Sequence, residues 1–120
     1  SGWEYVKELV EKMEKIGVGK VATVMGLLYA MDRDFAWERV EKAYAAMVYG
    51  EGVQTNDILA TMSESYSNDV TDEFIVPTVV DNEGMIKAND SIVSFNFRPD
   101  RARQFTRTFV DELQYLNLLY

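Results

Sequence analysis

The stretch Ser91 to Arg107, SIVSFNFRPDRARQFTR, constrains the fold of this chain more than any other. Its first half, Ile92-Val93-Ser94-Phe95-Asn96-Phe97, is short, β-branched and aromatic, and it follows a polar Asn89-Asp90-Ser91 turn, so it reads as a strand. Pro99 and Asp100 end that pattern, and Phe105, Phe109 and Leu113 then recur at helical spacing. Asp100 is placed to cap the new helix by accepting from the free amides of its first turn. Arg98 and Arg101 flank this strand-to-helix corner, where unpaired N–H groups and the helix dipole attract anions. Arginine adds a planar fork of donors that fits a carboxylate or phosphate. The alternative is that both arginines are solvated or pair with the acidic residues of the chain.

The rest of the sequence supplies layers for such a corner to join. Ser1-Gly2-Trp3-Glu4 has capping-box spacing, and Trp3, Val6, Leu9/Val10, Met13 and Ile16 form a helical stripe that Gly17 ends. Lys20 to Met25 reads as a buried strand, so the opening helix covers a strand in an α/β layer. Gly26 to Asp34 is expected as loop, followed by a helix with Trp37, Val40, Tyr44, Met47 and Val48 inward. A shorter helix from about Asn56 to Tyr66 buries Ile58, Leu59 and Met62, and Ser67 to Glu73 reads as polar loop. Phe74 to Val80 carries Pro77, which predicts an edge strand or a strand end. Asp81 to Gly84 is a turn, and Met85–Lys87 is expected to form a hairpin with Phe74–Val80.

Composition narrows the chemistry. One small domain over residues 1–120 fits the length. The net charge of −8 makes nucleic acid and anionic membranes unfavourable partners, so an anion site must be a local arginine cluster. The absence of cysteine excludes thiol chemistry and suits a reducing cytoplasm. The absence of histidine removes the commonest general base and metal ligand. The apolar run Val21 to Met31 is too short to span a bilayer, and no signal peptide is visible.

The run FNFRPDRARQ, with YAMDRD at Tyr29–Asp34 and TDEFIVPTV at Thr71–Val79, resembles the cofactor-independent phosphoglycerate mutases from about Trp3 to Phe109. The resemblance implies part of a phosphotransferase domain that holds phosphoglycerate while a separate domain moves the phosphoryl group. It implies substrate-binding roles for Arg33, Arg98 and Arg101, and several converging forks suit a ligand carrying both phosphate and carboxylate. Asp34 reads as a helix cap rather than a catalytic carboxylate, and Asp32 as a group that orients an arginine.

Departures from the family pattern carry equal weight. Where the family has G-R-Y-Y, this chain has Gly26-Leu27-Leu28-Tyr29, so Leu27 replaces a substrate arginine. Phe35-Ala36 replace residues that tend to be basic. The family's H-G-R-D segment and its manganese-binding phosphatase domain are not in the sequence, so no catalytic residue, cofactor or metal ligand is expected here. Phe35 projects with Glu38, Arg39 and Lys42 on the polar side of its helix, one short loop from Leu27 and Leu28. These side chains either form an exposed contact surface or fill a gap left by truncation. The apolar C-terminal run from Leu113 to Tyr120 raises the same choice.

The expected fold is therefore α/β: a small mixed sheet packed by about four helices, a fragment of a larger α/β domain. The expected function is that of a non-catalytic, cytoplasmic, engineered scaffold that binds another protein through Leu27, Leu28, Phe35 and Ala36. The alternatives are a remnant phosphate or phosphoglycerate binder using Arg33, Arg98 and Arg101, and a bare domain that self-associates.

Overall fold

The computed structural model describes residues 1–31 and 37–95, together with residues 106, 107 and 109. Helix α1 spans Gly2–Ile16 and ends where Gly17 turns left-handed at φ 80°, its N–H donating to the Met13 carbonyl. Strand β1 (Thr23–Val24), the short helix α2 (Leu27–Ala30) and helix α3 (Trp37–Tyr49) follow. Strand β2 (Val53–Gln54), helix α4 (Ile58–Ser67) and strand β3 (Thr78–Val79) complete the regular elements. Two single 3-10 turns, Asp72–Phe74 and Asn82–Gly84, flank β3. Thr106, Arg107 and Phe109 are also helical, in line with the helix expected beyond Pro99.

The sheet is mixed, as expected, with order β1-β3-β2. β1 runs antiparallel to β3, pairing Thr23 with Val79, and β2 runs parallel to it, pairing Val53 with Thr78. β3 is thus the central strand, and of the two positions expected from Pro77, edge strand or strand end, the second is the one found. Pro77 precedes the paired residues, so its missing N–H costs the ladder nothing, while its carbonyl accepts from the Val53 N–H at 3.1 Å. On the other side the Val80 N–H donates to the Ala22 carbonyl at 2.8 Å.

Three expectations change. Met85–Lys87 forms no hairpin with the Phe74–Val80 region; instead the Ile86 N–H donates to the Met47 carbonyl, which ties this stretch to α3. Leu27–Ala30, expected as loop, is one helical turn. Ile92 to Phe95 is not a strand, and Asn96 and Phe97 lie outside the described residues. The apolar side chains of that segment stay in solvent, with Val93 75% and Phe95 90% exposed. An extended run becomes a strand only when a neighbour takes its N–H and C=O groups, and no strand pairs with it among the described residues.

The core lies between α3, α4 and the sheet. Val40, Ala43, Tyr44 and Ala46 of α3 are buried, as are Ile58 and Met62 of α4 and Ile75 and Val79 around β3. Trp3, Val6 and Leu59 pack against the Ile58–Met62–Ile75 cluster, which docks α1 onto α4. The buried Thr78 hydroxyl is satisfied by donating to the Val76 carbonyl at 2.8 Å.

Candidate functional site

Of the residues singled out in the sequence, Leu27 and Leu28 fall in described structure. Arg33, Phe35, Ala36, Arg98 and Arg101 lie outside the described residues, as do Asp32, Asp34 and Asp100. Gly26 caps α2 in an extended conformation and donates its N–H to the Ile75 carbonyl at 2.7 Å. A Cβ at Gly26 would stand 2.6 Å from the Asp72 carbonyl oxygen and nearer still to that of Glu73, so only glycine lets α2 sit this close to the Asp72–Phe74 turn. Leu27 follows directly and is 41% exposed, while Leu28 is half-buried.

Residues 32–36 connect the end of α2 to the first residue of α3, Trp37. Residues 96–105 lead into the helical stretch whose Phe109 ring packs on Tyr44 of α3, centroids 5.2 Å apart. Tyr44 lies about two turns beyond Trp37, roughly 10 Å along the same helix. Tyr44 also meets Tyr49 edge-on at 6.0 Å.

A polar knot that the sequence did not reveal closes α1. The Asp72 carboxylate accepts from the Gly2 N–H at 2.7 Å through Oδ2 and from the Tyr66 hydroxyl through Oδ1. The Tyr66 oxygen in turn accepts from the Trp3 N–H at 3.2 Å, and the Trp3 indole N–H donates to the Leu59 carbonyl at 3.0 Å. The Tyr66 hydroxyl, then the Gly2 N–H, hold the Asp72 carboxyl below its usual range. Burial, then the Asp72 carboxylate, raises the Tyr66 phenol. Ser1 occupies the N-cap position, yet its side chain makes no capping bond. The cap comes from a residue that sequence spacing cannot associate with it. A second carboxylate, Asp81, caps the Asn82–Gly84 turn through the Glu83 N–H at 2.9 Å and meets Lys20 at 3.3 Å; both interactions lower its pKa.

Exposed apolar side chains are not confined to Leu27. Phe74, Val76 and Val53 are 48%, 43% and 44% exposed. The signal was present in the alternation of Phe74 and Val76 with Ile75 and Pro77, whose side chains are buried. Among the described residues no three acidic side chains converge into a group that could hold a metal ion.

Comparison with known proteins places this architecture. Residues 1–117 match the family model described as BPG-independent PGAM N-terminus (iPGM_N). The 2,3-bisphosphoglycerate-independent phosphoglycerate mutase of Clostridioides difficile (strain 630) is 55% identical over 116 residues, covering 93% of this chain and 23% of the relative. That of Clostridium perfringens (strain SM101 / Type A) is 51% identical over 115 residues, covering 92% and 22%. The crystal structure of Leishmania mexicana phosphoglycerate mutase at low cobalt concentration matches with a TM-score of 0.80 at 30% identity, over 93% of this chain and 23% of that one. The chain thus spans less than a quarter of the length of these relatives. With α/β layers that superpose on a solved mutase and a family match along nearly its whole length, the chain belongs to the N-terminal domain family of the 2,3-bisphosphoglycerate-independent phosphoglycerate mutases.

Proposed function

We propose that this chain is the phosphoglycerate-holding part of a phosphoglycerate mutase, and that it performs no turnover by itself. Arg33, Arg98 and Arg101 grip the phosphate and carboxylate of the substrate, and phosphoryl transfer belongs to a manganese-bearing domain of the kind the family resemblance implies. The observation that supports this reading is the family match over residues 1–117, a span that contains all three arginines. Leu27 at the start of α2 takes one positive fork away. Losing a charge-assisted contact costs on the order of 1.5–3 kcal/mol, so affinity falls tenfold or more. Calorimetry with 3-phosphoglycerate should therefore give a dissociation constant of roughly millimolar order, lost in Arg98→Ala. A submillimolar constant would contradict the cost assigned to Leu27. Turnover of 3-phosphoglycerate above a mock-purified control, abolished by Arg98→Ala, would overturn the non-catalytic reading.

A second reading is favoured by the exposure of Leu27. In it the chain is an engineered scaffold whose Leu27, Leu28, Phe35 and Ala36 bind another protein. Charge placed on an exposed contact surface changes stability by less than about half a kcal/mol, whereas burying it unfolds a small domain. Phe35→Asp and Leu28→Asp should then melt close to the parent and lose any association. Melting far below the parent would make these side chains core and end this reading.

A further inference from the structure

We propose that the cleft between the second half of α1 and the start of α4 binds an apolar organic molecule that carries one positively charged amine. None of its lining residues takes part in either reading above.

The cleft has a volume of about 630 Å³, a size that small-molecule sites commonly have. Val10 and Met13 line it from α1, Ile58 and Leu59 from α4, and Val80 from just beyond β3. Ile58 is buried and the other four are half-buried, so the cleft offers apolar surface that water still reaches. Gly19 closes one end. At φ 92° it folds the chain back onto α1, where a Cβ would stand 2.9 Å from the Met13 sulfur. Met13 is unbranched and fits its shape to what lies against it. The hydrogen bonds of Gly2 and Trp3 pin α1 at its opposite end, and no side chain of α1 is fully buried. The half of α1 over the cleft can therefore adjust to an occupant without undoing those bonds.

Charge favours a cation. The lining holds three carboxylates, Glu14, Asp57 and Asp81, against one ammonium, Lys20. Lys20 already meets Asp81 at 3.3 Å and Glu83 at 4.0 Å. Asp57 caps α4 by accepting from the Ala60 N–H at 3.1 Å, at the positive end of that helix dipole. Those charges are offset where they stand, and Glu14 remains. It joins no ion pair among the described residues. It also stands in the last turn of α1, where the negative end of the dipole adds to its pull on a positive group. An amine at Glu14, with its apolar body against Met13 and Ile58, suits both parts of the cleft. A carboxylate on the same body would meet Glu14 with like charge.

The test titrates isotope-labelled protein with phenylbutylamine, phenylbutanol, phenylbutyrate and butylamine at neutral pH, reading backbone amide shifts by NMR. Phenylbutylamine should shift the amides of Met13, Glu14, Ile58 and Leu59 saturably. Phenylbutanol should bind a few-fold more weakly, phenylbutyrate about tenfold more weakly, and butylamine should not saturate. Glu14→Gln should weaken the amine about threefold and leave the alcohol unchanged, while Glu8→Gln, outside the cleft, should change neither. Glu14→Lys, at the same exposed position, should turn the preference toward phenylbutyrate. With phenylbutylamine at roughly ten times its dissociation constant, α1 amides after Val10 should exchange about tenfold more slowly, since lifting α1 removes one side of the site. Absence of saturable binding, equal binding of amine and carboxylate, or shifts confined to another face would overturn the proposal. So would α1 exchange that the amine leaves unchanged. Butylamine as tight as phenylbutylamine, or Glu8→Gln as damaging as Glu14→Gln, would also overturn it, since either marks diffuse attraction to a chain of net charge −8.

Discussion

Replacing Asp72 with alanine removes the acceptor that closes the first turn of α1. The carboxylate takes the Gly2 N–H at 2.7 Å and the Tyr66 hydroxyl, and Ser1 supplies no substitute. Loss of an N-cap acceptor costs about 1 kcal/mol. The charge-assisted bond from Tyr66 adds about 0.5 kcal/mol, because its carboxylate is largely exposed and the freed hydroxyl can turn to water. The sum, about 1.5 kcal/mol, should lower Tm by roughly 6 °C in a chain of this size, read by circular dichroism at neutral pH. Tyr66→Phe should cost about 1 kcal/mol, since it also removes the acceptor of the Trp3 N–H. The double variant should cost less than the two singles added, because they share one bond. An Asp72→Ala protein melting within about 1 °C of the parent would refute the assignment of the cap. Strict additivity in the cycle would refute the coupling through Tyr66.

Three further outcomes follow from the same structure. The Asp72 and Asp81 carboxyls are held low in the folded state, so their stabilisation is complete above the ordinary carboxylate pKa near 4 and is lost as pH falls through their folded values; urea midpoints should drop below about pH 4, less steeply in Asp72→Asn. The Tyr66 phenol is raised, so its contribution is present below about pH 10 and is lost as pH climbs through the folded value; Tyr66→Phe should flatten that alkaline limb. Gly26→Ala should unfold the chain or cost several kcal/mol, because backbone carbonyls occupy the space of its Cβ, whereas Gly17→Ala, with a φ of 80° and nothing within 4 Å, should cost about 1 kcal/mol.

Legibility in the sequence followed the length of each element. α1, α3 and α4 were readable because their apolar residues recur over several turns, and Gly17 marked an end that the structure places at the same residue. The strands are two residues each; β1 and β3 fall inside the longer stretches Lys20–Met25 and Phe74–Val80 that read as β, but their ends were not legible. Val53–Gln54 follows Gly50 and Gly52, residues that ordinarily mark loops, although Gly52 is what lets β2 approach Pro77 beside β3. Pro77 signals a strand end rather than an edge strand, because the N–H it lacks does not fall on a paired residue. Ile92–Phe95 has strand composition without a strand partner, and pairing is a property of two segments rather than one. The cap of α1 lay equally out of reach, since Gly2 and Asp72 meet only after folding brings α4 beneath the helix. The candidate site rests on motifs; of the proposed binding residues, Leu27 and Leu28 are the ones the described structure locates.

Helix α1 has no fully buried side chain along its whole length, and the hydrogen bonds that tie it to the rest of the molecule act on Gly2 and Trp3. Helix α3, by contrast, buries Val40, Ala43, Tyr44 and Ala46. The two helices therefore belong to different tiers of opening. Amide protons of α1 should exchange with solvent through a local event that leaves α3, α4 and the sheet closed, while those of α3 should wait for the whole molecule to open. Among the helices, a protease meeting the native protein would find its first substrate around Val10 to Ile16, where α1 can peel from α4 without dismantling the core.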